Sequence, residues 1–188
     1  MKKMSLRARV LTGAVAVAAL GAGTLGAVSA SADTGAGQPG QAPAAVRADA
    51  SDRNLTQSTG LTAEAATKAA QAALDAARKA GQHVSVAVVD RDGITRVLLK
   101  GDGAGPQSAE SAERKAFTAV SWNAPTSELV KRLATTPNLK DIPGTLFLGG
   151  GAPVQAKGAP IAAVGVAGAP SGDLDEQFAQ AGVAALGK

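Results

Sequence analysis

HVSVAVVDRDGITRVLLK, residues 83–100, consists of two β-branched runs on either side of Asp90-Arg91-Asp92-Gly93. Runs of Val and Ile of this length read as strands, the first of them buried on both faces. The four residues between them are turn chemistry, with Gly93 free to take positive φ. The stretch therefore predicts a β-hairpin, and the rest of the chain is read outward from it. Upstream, LTAEAATKAAQAALDAARKAG (residues 61–81) predicts a helix with Thr62 as its N-cap, Glu64 in the first turn and Gly81 as its stop. Its apolar face is nearly all alanine, which suits close approach to a sheet or another helix.

Downstream, a glycine-rich loop leads into a helix over about Ser108 to Ser121, broken by Trp122-Asn123-Ala124-Pro125. A short helix follows Thr126, then an irregular stretch with Pro137 and Pro143. TLFLGGG (residues 145–151) predicts a strand, and 152–168 predict strand, turn at Lys157-Gly158, strand. A last helix opens with Asp173, Asp175 and Glu176 in its first turn. The order α-β-β-α-α-β-β-β-α makes the chain an α+β protein, a five-stranded antiparallel sheet packed by helices.

The first 60 residues stand apart from that domain. Lys2, Lys3, Arg7 and Arg9 precede an Ala/Gly/Val run and then Ala30-Ser31-Ala32. This is the layout of an export signal cleaved after Ala32. The run is too rich in alanine and glycine for a good membrane span, so no span is expected after cleavage and the product is expected to be secreted, either free or held at the cell wall. Residues 33–60, rich in Gly, Pro, Ala and Ser, predict a disordered tail, and 61–188 the domain. Four of the 19 Lys and Arg residues and none of the 15 acidic residues lie in 1–32. Without them the charges balance, so the basic pI belongs to the signal and gives no support for a nucleic-acid partner.

The chemistry is limited by what the residues after 32 lack: they hold no Cys, Met or Tyr. No disulfide supports the exported domain. Haem iron is normally held by His, Met, Cys or Tyr, and of these only His83 remains. It opens a strand that reads as buried, so it is either an iron ligand or a structural histidine. SAESAERKAF, residues 108–117, sets Glu110 and Glu113 three apart on a helix, with Phe117 between them one turn on. Both face the same side, beside the stripe of Ala109, Ala112, Ala116, Ala119 and Val120, while Arg114 and Lys115 point elsewhere. Such a pair is either a hard-cation site or a solvated face, and spacing does not decide between them. Gly149-Gly150-Gly151 lacks the helix and partner acid of a dinucleotide fingerprint. No nucleophile–base pair is visible, so an enzyme is not expected.

Four segments together, VVDRDG (88–93), AERKAFTA with Trp122, PGTLFLGGG (143–151) and GVAGAPSGDLDE (165–176), resemble the GlcG/HbpS family, closest to its secreted haem-binding branch from actinobacteria. The resemblance covers about residues 61–187. It implies a profilin-like single domain that binds haem and iron outside the membrane. It further implies assembly as a homo-octamer and service as an accessory redox sensor to a membrane histidine kinase in a two-component system. On this resemblance Glu110 and Glu113 are iron ligands, and Thr145 contacts haem, with His83 a second candidate. The competing readings are an enzyme or enzyme-accessory domain of the GlcG type, and a purely structural oligomer.

Overall fold

Alanines at 66, 69, 70, 73 and 77, with Leu74, repeat at three and four residues and are all buried. That spacing makes one stripe of helix α1 (Ala63–Lys79). Thr62 caps it, its Oγ1 accepting from Ala65 N–H at 3.1 Å. The Glu64 carboxyl is held below its ordinary pKa by hydrogen bonds from its own backbone and from Thr62. The computed structural model describes residues 49–187. The signal expected over 1–32, and residues 33–48 of the tail expected over 33–60, lie outside the described residues. Residues 49–60 are exposed and contain one 3-10 turn, Asp52–Asn54, with nothing buried.

Strands β1 (Ser85–Asp90) and β2 (Thr95–Lys100) form the hairpin read from the sequence. Asp90 builds the turn, its Oδ1 accepting from the N–H groups of Asp92 and Ile94 at 3.0 and 2.9 Å. Helices α2 (Ser108–Trp122) and α3 (Thr126–Arg132) follow, then β3 (Gly151–Ala156), β4 (Ala159–Ala167) and helix α4 (Gly172–Ala184). The sheet runs β2-β1-β4-β3, antiparallel throughout.

Strand alternation sorts the core into two faces. Val86, Val88, Val164 and Val166 meet α1 and α4. Ala87, Val89, Ala163 and Ala167 meet α2. The result is three layers, with α2 alone on one side. That helix lies unusually close. A Cβ placed on Gly165 would collide with the Ala112 carbonyl oxygen and come within 2.6 Å of the Ala116 nitrogen. Small residues on both surfaces let the α2 backbone rest on the β4 backbone, and this fixes where the side chains at the rim of α2 emerge.

The sheet has four strands, not the expected five. Residues 145–148 have the alternation of a strand but no ladder. The Thr145 N–H turns back to the Ile142 carbonyl, that of Leu146 goes to Thr118 Oγ1 at 2.8 Å, and that of Leu148 goes to the Leu146 carbonyl. The neighbouring strand β3 carries Pro153, which has no N–H for a further ladder. Phe147 instead closes a small separate core with Ala124 and Leu129, its ring edge-on to Trp122 at 5.3 Å between centroids.

Candidate functional site

A cleft of about 230 Å³ opens between the β1–β2 turn, α2 and the loop at Gly144. Gly93 forms one lip at φ +83°. A Cβ there would stand 2.8 Å from Phe117 Cε2, so only glycine brings the turn down onto the aromatic ring. Val89 and Phe117 give the cleft an apolar floor, and Thr95, Glu113 and Arg114 its polar wall. Next to its lips in the chain stand two exposed isoleucines, Ile94 (60 %) and Ile142 (42 %).

Arg114 organises this region. Its Nη2 donates to the Thr145 carbonyl at 2.8 Å, and its Nη1 lies 3.7 Å from Glu110 Oε1. The expectation that Arg114 points away from the glutamate pair is therefore wrong. The two residues are four apart on one helix, where such ion pairs form readily. Glu110 and Glu113 share a helix side but take different partners. Glu113 Oε1 accepts from Thr95 Oγ1 at 2.9 Å across to β2, while Glu110 stays mostly in water. Among the described residues no cluster of three or more His, Cys, Asp or Glu could hold a metal ion. A cation at the pair would take two carboxylates and complete its shell with water.

Thr145 sits beside the cleft but is buried, and its Oγ1 donates to the Ile142 carbonyl at 2.7 Å. His83 is elsewhere. It precedes β1 and is exposed, contrary to the buried position expected of it. Its Nδ1 lies 2.7 Å from the Asp102 carbonyl oxygen, so Nδ1 carries the proton and donates it. It lines a separate hollow of about 260 Å³ with Leu74, Arg78 and Asp102. It lies six positions before Val89 of the cleft, roughly 20 Å at the rise of a strand. One iron cannot meet both His83 and Thr145 of the same chain.

Lys115 does point away from the glutamate pair, and it points into the interior, where it is buried. Its Nζ donates to Asp175 Oδ2 at 2.7 Å and to the Val166 carbonyl at 3.1 Å. Burial pushes the Asp175 carboxyl above its ordinary pKa, against the opposing pull of Lys115 and of the Ala169 and Gly168 backbone. Beside it the Glu176 carboxylate accepts from Ser127 N–H at 2.9 Å and Ser127 Oγ at 2.6 Å. It thereby caps α3, whose own N-cap, Pro125, has no side chain for the task. These bonds tie the segments of the sequence pattern to one another: 112–119 to 165–176 through Lys115, and to 143–151 through Arg114 and Thr118. Arg114, Phe117 and the Lys115–Asp175 pair are what sequence reasoning missed. Only the four-residue spacing from Glu110 to Arg114 was there to be read.

A family model described as haem degrading protein HbpS-like matches residues 61–184. No curated protein matches the chain. Among solved structures it is similar to HbpS, at 75 % identity over 75 % of this chain and 100 % of that one, with TM-score 0.74. It is also similar to a double mutant of Streptomyces reticuli HbpS, at 73 % identity over 78 % of this chain and 100 % of that one, with TM-score 0.76. In that mutant two glutamates three positions apart are replaced by aspartate. In the present sequence Glu110 and Glu113 are the one pair of glutamates with that spacing. A more distant likeness is to PduOC in complex with haem, at 26 % identity over 68 % of this chain and 95 % of that one, with TM-score 0.62.

Proposed function

The chain belongs to the HbpS-like family, and from that premise we propose that it binds haem at the cleft between the hairpin turn and α2. The cleft suits the group. Phe117 and Val89 offer an apolar floor for the ring, and Arg114 is a guanidinium suited to carboxylates at the ring's edge. The single observation that carries the reading is the position of Arg114 on that wall, bonded to the backbone of Thr145. At about 230 Å³ the cleft is smaller than pockets that engulf a ligand, so this chain covers one side of the ring. When bound, haem would supply an iron open to oxidation and reduction. The chain's own residues would hold the ring, with Thr145 buried behind Arg114 and acting through the carbonyl that Arg114 bonds.

Glu110 and Glu113 are proposed to take iron in addition, close to the same cleft. Both sites would lie outside the membrane, on an exported homo-octamer, and their loading would be read by a sensor histidine kinase. Among the described residues no helix is long and apolar enough to cross a membrane.

Haemin titration, followed by the Soret band and by quenching of Trp122, tests the proposal. Wild type should saturate. Arg114→Ala should weaken binding roughly ten- to hundredfold, the worth of a charge-assisted hydrogen bond. Thr145→Ala should weaken it less, and His83→Ala should leave it unchanged. No saturation in wild type, or loss confined to His83→Ala, would remove the cleft from consideration. Decay of the Soret band under reductant would replace binding by haem breakdown.

A further inference from the structure

A second cavity, about 430 Å³, lies between α3, the glycine run at 149–151 and the loop leading into α4, and it shares no lining residue with the haem cleft. The Lys115–Asp175 pair lies in its wall. The volume falls within the range of small-molecule sites, and a buried ionisable pair in a cavity marks a candidate site. The proposed haem and iron functions use none of these residues.

The polar groups around it are mostly donors. Asp175 already accepts from Lys115 on one oxygen and from the Ala169 N–H on the other. Lys115 has three N–H bonds and gives two of them, to Asp175 and to the Val166 carbonyl. The Ser171 oxygen accepts from Leu174 N–H, which leaves its own hydrogen to give. The N–H groups of Gly149, Gly172 and Asp173 have no acceptor among the described residues. Against these donors stands one carboxylate with no donor among the described residues, that of the exposed Asp173. Val130, Leu148 and Pro170 supply apolar walls, with Leu148 itself 55 % exposed.

We propose that this cavity is a second ligand site, specific for a small carboxylate with a short alkyl chain. The carboxylate would take the free N–H of Lys115 and the backbone donors. The alkyl chain would lie against Val130 and Leu148. Asp173 opposes the anion and so holds the affinity low, in a range set by ligand concentration.

Ligand-observed saturation-transfer NMR on the full protein tests this with butyrate, butanol and butylammonium. Butyrate should give a saturable signal, and the two analogues none above background. Val130→Phe fills the cavity at a partly exposed position and should abolish the butyrate signal while haemin binding is unchanged. Asp173→Asn should tighten butyrate binding about two- to fivefold by removing the opposing charge. Equal signals from butanol and butyrate, an unaltered signal in Val130→Phe, or no saturation with butyrate would each overturn the proposal.

Discussion

Lys115 and Asp175 meet at 2.7 Å with both side chains about 95 % out of water. A buried pair gains less than it would lose if broken, because removing one partner strands the other charge. Lys115→Met should therefore cost about 3–5 kcal/mol in urea unfolding. Lys115→Met with Asp175→Leu should recover most of that. Equal costs for the single and double variants would mean that packing, not stranded charge, dominates. The raised pKa of Asp175 also sets a pH dependence. The folded state holds this proton more tightly than the unfolded one. This group's contribution is therefore fully present below the ordinary carboxylate value of 3.8 and is lost as pH rises through its raised folded value. Carbon-detected titration of the Asp175 carboxyl should give a midpoint above 3.8, and a midpoint at or below it would reverse the sign. Glu110 and Glu113 belong to the same scale. Glu110→Ala with Glu113→Ala should abolish stoichiometric ferric binding in equilibrium dialysis yet cost only about 1 kcal/mol in unfolding, the worth of the lost Thr95–Glu113 hydrogen bond. Undiminished iron uptake would return the pair to the role of a solvated face.

Helix α2 carries the proposed haem cleft on one flank and Lys115 on another, and its height above the sheet is set by Gly165. Gly165→Ala would push the α2 backbone off β4. It should cost about 1–3 kcal/mol or more, the range for overpacking, and should loosen haemin binding as the Phe117 floor shifts. Gly182→Ala, on the other face against α1, should destabilise without that second effect. The loop at 145–148 is pinned to α2 by Thr118, so Thr118→Val should speed hydrogen exchange of the Leu146 amide. Much at this scale was legible in the sequence. The hairpin follows from Asp90 and Gly93, α1 from Thr62 and its alanine stripe, and the β3–β4 turn from Lys157-Gly158. These signals are local, each complete within a few residues. The fifth strand failed because Thr145–Leu148 alternates like a strand while its partners, Thr118 and Trp122, lie in a distant helix. The partner of Lys115 was illegible for the same reason: Asp175 lies sixty residues on.

For the whole molecule, the size of the cleft bears on assembly. One chain offers a shallow wall of about 230 Å³, with Ile94 and Ile142 exposed beside its lips in the chain. An apolar ring held there keeps one face toward water unless something covers it. The proposed homo-octamer supplies a candidate cover, a second copy of the chain. Residues 33–188 balance in charge, so long-range repulsion between copies is small. If a second copy closes the cleft, haem binding and assembly are linked, and each must favour the other by the same factor. Haemin should then drive assembly on dilution, and its apparent affinity should rise with protein concentration. Sedimentation velocity with detection at the Soret band measures both at once. Haem moving only with the larger species, and released as the assembly dissociates, is the expected result. Haem retained in full by a single chain would show that Phe117, Val89 and Arg114 suffice, and that binding and assembly are not linked.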